Sequence, residues 1–423
     1  MKINEILKKE LIKIKPSEKE EASIKKAITK FIFSLNKNLK KIKAKAIVGG
    51  SFAKGTTIKK DSYDVDVFVL FSKKMKNISA LLEKVLHKMK VKAKKLPGSR
   101  DYFSTEIKAD KSIVRTEIVP VLEIKAAHEA ENVTDVSPLH INYIERKIKS
   151  KKNLADEIRL AKAFCYAQGC YGAESHIKGF SGYCLEVLTC YFGSFLSLLR
   201  SAQRWKKKVV IDPEKHYKNK DAIFDEVNEA KLLSPLVLID PVQKSRNVAA
   251  ALNKRQFDLF AKASRAFLKA PSKSYFEKKE VSEKSLLKEA RKKKASFFVV
   301  RAESEKKKED IAGAKLLKLY NLLQLELKKE GYWIKSNWFF KGKKASLYFI
   351  IKKPLRIVQK GPFVSMKEHA ERFKKRWKKE KTFIKAGRIA VVRKPKNPEQ
   401  IFALGKGTLE DMGISAFKVE KKL

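Results

Sequence analysis

Two aspartates one residue apart, Asp64 and Asp66, lie near the end of the stretch GGSFAKGTTIKKDSYDVDVFVLF (Gly49–Phe71), just where an apolar run begins. On a strand, residues i and i+2 face the same way, so the two carboxylates project together. Two like charges held that close are unfavourable without a cation between them. Oxygen ligands select hard cations, and paired carboxylates with open positions suit Mg²⁺ bound together with substrate phosphates. Gly50 and Ser51 stand just ahead, after the short strand-like run Lys45–Val48. Glycine lets a backbone approach a phosphate, and N–H groups with the Ser51 hydroxyl can hold it. A bare D-x-D is common. The combination G-S-x(3)-G-T-x(7)-D-x-D joins a phosphate cradle to metal ligands and is much more specific. A site with two metal ions needs a third carboxylate. Two candidates stand in matched contexts, Glu106 in Thr105-Glu106-Ile107 and Glu117 in Thr116-Glu117-Ile118, and their chemistry alone does not choose between them.

The chain that must position these groups has 423 residues, too many for one compact core, so two to four domains are expected. Lys and Arg number 97 against 47 Asp and Glu, a net charge of +50. Such a surplus repels itself unless it meets a polyanion. The basic residues run through every third of the chain, which points to an extended nucleic-acid footprint. A protein acting on a small molecule alone has no need of this charge. Cys165, Cys170, Cys184 and Cys190 contain no C-x-x-C pair and read as small buried apolar residues in a reducing compartment. The opening MKINEILKKELIKIK reads as a charged amphipathic helix rather than a leader, and the apolar run Val187–Leu199 is too short to span a bilayer. A soluble, cytoplasmic protein with no membrane partner is expected.

Hydrophobic periodicity places two helices in the first ~35 residues. Strands follow at Lys45–Val48 and Tyr63–Phe71, then a helix at Ser79–Met89. Strands Tyr102–Lys108 and Ile113–Leu122 are joined by a turn at Ala109-Asp110-Lys111. From Pro138 to about Ala270 strong strand signals disappear and helices dominate, including Ala155–Ala167 and Tyr183–Arg200. The lysine-rich segment Lys269–Ser285 marks a boundary. Beyond it come a strand at Ser296–Arg301 and a helix at Ala312–Lys329. Strands follow near Tyr332–Phe340 and Ala345–Ile351, then a very basic helix at Ser365–Lys379 and a strand at Gly387–Arg393. The expected class is α+β, multidomain: a head at 1–137, a helical neck at 138–270, an α+β body at 271–340 and 388–423, and a tail at 341–387.

These residues resemble the nucleotidyltransferase superfamily that shares the polymerase-β palm. More narrowly they resemble the archaeal (class I) CCA-adding enzymes, and the likeness covers most of the chain. The Glu-Asp-x-x-Arg element of the class II enzymes is absent. Glu117-Ile118-Val119-Pro120 is similar to the family's third-carboxylate strand, which usually carries Asp, and this selects Glu117 over Glu106. Ser137-Pro138-Leu139-His140 resembles the element whose histidine contacts the incoming nucleotide. In Ile158–Tyr183, Lys162 and Tyr171 match residues that bind the triphosphate, and in Ile239–Leu252, Arg246 matches the arginine that helps read the base. Lys54 stands where the family often has Arg. Taken singly, His140, Lys162, Tyr171 and Arg246 have plain structural readings; their order and surroundings together point to function.

The resemblance implies a palm head, helical neck, and body and tail that grip tRNA. It implies transfer of CMP and AMP from CTP and ATP to the tRNA 3′ end without a nucleic-acid template. Asp64, Asp66 and Glu117 would hold two Mg²⁺ ions, while Gly50, Ser51, Lys54, Lys162 and Tyr171 take the triphosphate. His140 and Arg246 would face the nucleotide, and the family also implies a homodimer. The basic helix Ser365–Lys379, with Phe373 and Trp377 interleaved, is the expected contact for the tRNA elbow. Two rivals remain at this stage: a poly(A)-type RNA polymerase on the same palm, and a non-catalytic RNA-binding protein whose palm has decayed.

Overall fold

The computed structural model describes residues 3–59, 63–110, 112–278, 282–306 and 308–423. The turn residue Lys111 and parts of the 49–71 stretch, the N-terminal helix and the 269–285 segment lie outside the described residues. The chain divides into two compact units, one up to residue 279 and one from residue 280.

The first unit begins with helices Ile3–Ile14 and Glu18–Leu39. The second is started by a capping box in which Ser17 and Glu20 satisfy each other's end groups. A five-stranded sheet follows, with β1 (Lys45–Val48), β2 (Tyr63–Phe71), β3 (Lys94–Leu96), β4 (Tyr102–Ala109) and β5 (Ser112–Leu122) in the order β1-β2-β5-β4-β3. Only the β2–β5 pair is parallel; β1, β4 and β3 join antiparallel. Alternation along β2 divides its side chains. Val67, Val69 and Phe71 pack with Leu35, Leu82 and Leu86 of helices 18–39 and 78–88. The opposite face carries Asp64 and Asp66, then Phe68, which packs with Val119, Val121 and Ile141. One face is therefore core throughout, and the other turns polar toward the start of β2.

Helices Ser137–Ser150, Leu154–Ala167, Gly182–Phe192, Phe195–Ala202 and Lys254–Lys269 complete this unit around a core centred on Phe164, Phe195, Phe260 and Phe267. The expected single helix over Tyr183–Arg200 is two. Gly193 takes a left-handed φ of 78° and ends the first, and Ser194 caps the second. The two are bent by 96°, and no single helix among the described residues is long and apolar enough to cross a membrane. Helices dominate the neck, and two short strands accompany them: β6 (Val209–Ile211) and β7 (Leu236–Leu238) pair in parallel. At three residues each they are too short for periodicity to register.

The second unit holds a four-stranded antiparallel sheet in the order β14-β8-β10-β9, from β8 (Ser296–Ser304), β9 (Trp333–Lys341), β10 (Lys344–Lys352) and β14 (Ile414–Lys421). Helix Glu309–Lys329 lays Leu316, Leu319, Leu323 and Leu327 on one face, against Phe298, Val300, Leu347 and Phe349. A smaller sheet has the order β11-β13-β12, from β11 (Ile357–Phe363), β12 (Thr382–Lys385) and β13 (Arg388–Arg393), with helix Lys367–Arg376 beside it. This pairing redraws the expected tail. β10 is hydrogen-bonded on both edges inside the larger sheet, so it is not part of a tail beginning at residue 341. β13 is the central strand of the smaller sheet, so it does not return to the body at residue 388.

Candidate active site

The loop after β1 turns at Gly49 and Gly50 into a short helical turn, Gly50–Ala53. Gly49 N–H donates to the Asp66 carbonyl at 2.7 Å, which pins the loop to β2. Gly50 has a φ of +64°, and a Cβ there would fall inside the Asp66 carboxylate. Backbone conformation and close approach both require glycine. The loop closes on itself where Thr56 N–H donates to the Ser51 carbonyl at 2.9 Å. Ser51 Oγ lies 3.3 Å from Thr57 Oγ1. From the helical side, buried Arg159 donates through Nε to the Thr57 carbonyl at 3.0 Å.

Register places the two glutamates differently. Asp66 on β2 stands directly beside Glu117 on the neighbouring parallel strand β5, so both point to one face together with Asp64. Glu106 lies one strand further away on β4, opposite Arg115, with 4.0 Å between the charged atoms. Burial pushes the Asp66 carboxyl up from its ordinary range; Lys54 opposes this and Asp64 adds to it. As the side chains stand, no three His, Cys, Asp or Glu among the described residues converge closely enough to hold a metal ion. Asp64 and Glu117 are exposed and carry rotatable side chains on the same face, so this donor set fits a hard divalent cation.

One cleft is lined by Ser51, Thr56, Thr57, Asp64, Lys162 and Tyr171, and thus unites the loop, β2 and helix 154–167. Beneath it lies a carboxylate that the motif reading did not single out. Glu186, on helix 182–192, is buried and accepts from Lys54 at 2.6 Å, Lys162 at 2.7 Å and the Thr56 hydroxyl at 2.8 Å. Burial works to raise its carboxyl, but the Lys162 and Lys54 ammonium groups outweigh this and bring it down to about 2. Lys162 also donates to Thr56 Oγ1 at 2.9 Å. Tyr171 stands in the same cleft, close to the Gly182 Cα. A glutamate inside the apolar run CLEVLTC is the one sequence signal that marks Glu186, since an isolated charge on a buried helix needs partners.

His140 and Arg246, a hundred residues apart, meet at a second buried carboxylate, Asp240. His140 Nε2 is 2.9 Å and Arg246 Nη1 2.6 Å from Asp240 Oδ2. Tyr183 Oη donates to Oδ1 at 3.2 Å, and its ring lies 4.2 Å, centroid to centroid, from the His140 imidazole. Burial pulls the imidazole below its ordinary range, against the pull of Asp240. Burial also works against the Asp240 charge, yet the hydrogen bond from His140 and the Arg246 guanidinium hold its carboxyl low. In the sequence, Asp240-Pro241 reads as an ordinary turn and carries no signal of this role.

In the second unit, helix 367–376 is shorter than expected at both ends. Phe373 packs over the Gly361 backbone, and its ring centroid is 6.3 Å from that of Trp377. A concave surface there is lined by Arg356, Phe373, Arg376, Trp377, Lys394 and Lys396. Arg393 stands over Trp377 and is forked onto Glu330 at 2.7 and 2.8 Å.

Residues 156–277 match the family described as tRNA nucleotidyltransferase, second domain. Residues 1–137 match the Second Messenger Oligonucleotide or Dinucleotide Synthetase domain. The chain is 38% identical over 291 residues to the CCA-adding enzyme of Nanoarchaeum equitans, covering 67% of each chain. It is 32% identical over 397 residues to that of Methanocaldococcus jannaschii, covering 89% of this chain and 85% of the relative. Against the CCA-adding enzyme of Saccharolobus solfataricus the identity is 31% over 331 residues, 77% of this chain and 73% of the other. Among solved structures, the RNA terminal uridylyl transferase Cid1 superposes with a TM-score of 0.52 at 14% identity, covering 66% of this chain and 99% of that one. That likeness extends to the fold, a nucleotidyltransferase head with its attached helices.

Proposed function

The chain belongs to the archaeal CCA-adding enzymes, template-independent tRNA nucleotidyltransferases, and we propose that it builds the 3′-terminal C, C and A on the carboxylate face of its palm. The observation that carries the site assignment is the cleft in which Ser51, Asp64, Lys162 and Tyr171 meet beside Asp66 and Glu117. The tRNA 3′-oxygen forms a bond to the α-phosphorus of CTP or ATP, and the bond to the departing pyrophosphate breaks. Asp64, Asp66 and Glu117 are the residues to hold two Mg²⁺ ions, which when bound neutralise the triphosphate and lower the pKa of the 3′-hydroxyl. Positioning is much of the work in phosphoryl chemistry. The Gly50 backbone and the Ser51 hydroxyl face the phosphates from the loop, and Tyr171 closes the cleft from the helical side. Lys54 and Lys162 supply positive charge from beneath, fixed by Glu186. His140 and Arg246 meet the base.

The tRNA is held largely through its phosphates, which accounts for the +50 charge. The basic helix 367–376 and the surface around Trp377 are the proposed contact for the tRNA elbow. The protein acts in the cytoplasm, as a homodimer by analogy with its family. Extension of tRNAs that lack their last nucleotides, with each nucleoside triphosphate supplied singly, tests the reading. A poly(A)-type activity would instead give long A tails. A decayed palm would bind tRNA and add nothing, and the longer Glu117 in place of Asp is the one residue that favours it.

A further inference from the structure

Helix Glu18–Leu39 covers the face of the five-stranded sheet that lies opposite the carboxylates. Its Ile24 and Ile28 pack with Tyr63 and Val65, and its Leu35 and Leu39 with Val67 and Val69. The rest of the helix surface therefore looks away from the carboxylate face. At about 100° per residue, Phe33 stands in the middle of that outer side, with Lys25 on one flank and Lys26, Lys30 and Lys37 on the other. Phe33 is 75% exposed, and all four lysines are exposed. With Ala22 and Thr29, Phe33 and the first three of these lysines line an open groove of ≈ 550 Å³. None of the four ammonium groups pairs with a carboxylate among the described residues. The sequence supplies the reason. From Ala22 to Lys60 it holds eleven lysines and no Asp or Glu, although the whole chain has 47 acidic residues in 423, about one in nine. Lys26 and Lys30, one turn apart, repel each other and oppose the helix that carries them.

We propose that this face of helix 18–39 is a binding surface for an unpaired stretch of RNA, separate from the tRNA whose 3′ end is being extended. Lysines hold phosphates without regard to sequence, and a polyanion removes the repulsion among them. Between Lys26 and Lys37 the row runs about 16 Å along the axis, the length of a strand segment rather than of one phosphate. An aromatic ring set among such cations is a platform on which a splayed base stacks, and only an unpaired nucleotide offers its base face. A duplex would meet the lysines and leave Phe33 idle. A lipid surface fits less well, because insertion needs several apolar side chains on the outer face and this face has a single large one. The direction of the surface separates it from the substrate. The tRNA end is placed at Asp64 and Asp66 in the reading above, and the sheet itself lies between that face and this helix. The inference rests on that reading only for this separation.

The test measures binding of a fluorescent oligouridylate, blocked by a 3′-phosphate so that it cannot be extended, to the full chain with and without one equivalent of bound tRNA. The wild type should bind the oligonucleotide equally in both cases. Phe33→Ala should weaken that binding about tenfold or more, Phe33→Trp should keep it, and Lys26→Glu combined with Lys30→Glu should weaken it at least as much as Phe33→Ala. Extension of shortened tRNAs should stay within about twofold of wild type in all three variants. Displacement of the oligonucleotide by tRNA, or an affinity in Phe33→Ala within about twofold of wild type, would overturn the proposal. So would binding to vesicles of anionic phospholipid, or self-association in sedimentation, that Phe33→Ala abolishes while oligonucleotide binding persists. A wild type that adds no nucleotide would sink the functional reading instead, and the effect of Phe33→Ala on oligonucleotide binding would still settle this inference.

Discussion

The two ends of the proposed nucleotide site are built on the same plan and differ in one respect. At each, a buried carboxylate gathers two basic side chains from distant parts of the chain: Glu186 gathers Lys54 and Lys162, and Asp240 gathers His140 and Arg246. At the first end the cations are ammonium groups with side chains only 9% and 3% exposed. At the second the gathered groups are planar, an imidazole and a guanidinium, 12% and 29% exposed. An ammonium is a compact point charge, whereas a guanidinium or imidazole has a plane and a direction. Every nucleoside triphosphate carries the same phosphates, and buried charge suffices to hold them. The bases differ, and in the proposed reading the directional groups face the base. That reading separates grip and choice by side-chain type as well as by position.

Perturbations can break or sharpen that contrast. Asp66→Ala strikes neither end but removes the face both serve. It should lower single-turnover nucleotide addition by about 10³-fold or more for CTP and ATP alike, with tRNA affinity within about twofold. Gly50→Ala should follow, because it strains a left-handed backbone by about 1–2 kcal/mol. It also displaces the Asp66 carboxylate, and a shift of that kind is expected to cut kcat roughly 10- to 100-fold. Glu186→Gln leaves two buried lysines without their charge partner. Its cost in stability should be about 3–5 kcal/mol by thermal unfolding, with KM raised equally for right and wrong nucleotides. A change in base preference in that variant would erase the distinction between the two ends.

Acid offers a further handle on the same residue. The Glu186 carboxyl sits at about 2 in the folded protein against an ordinary 4.5, a depressed value. Its contribution to stability is therefore fully present above pH ~4.5 and lost as the pH falls toward 2, amounting to roughly 3 kcal/mol. Glu186→Gln should lack that portion of the acid transition. The smallest effect is expected far from either end. Alanine at both Lys374 and Lys375 should reduce the slope of log affinity for tRNA against log salt by about 1 to 2, while leaving nucleotide KM unchanged. No change in slope would remove this helix from the footprint.

Much of the candidate site's geometry is legible in the sequence because its parts are local. The period-2 alternation of a strand sets Asp64 and Asp66 on one face from sequence alone, and β1 and β2 fall where β-branched residues predict them. Local chemistry leaves Glu117 and Glu106 equal and only the family resemblance prefers Glu117; the register then sets Glu117, not Glu106, on the strand next to β2, a non-local property. Glu186 and Asp240 escaped the motif reading for the same reason, since their partners lie 24 to 132 and 6 to 100 residues away. In the second unit the boundary between sheets was misplaced because β10 and β13 look alike as apolar runs; only their pairing tells which sheet owns each. Gly193 ends its helix from inside an otherwise apolar run, where hydrophobic content masks the glycine.

The most direct test of the central claim is an extension assay with Mg²⁺ on tRNAs lacking one, two or three terminal nucleotides, each nucleoside triphosphate supplied singly and in sequence. The account predicts addition of C, then C, then A, a stop after A, and loss of all three steps in Asp66→Ala. A long A tail, or tight tRNA binding with no extension, would contradict it.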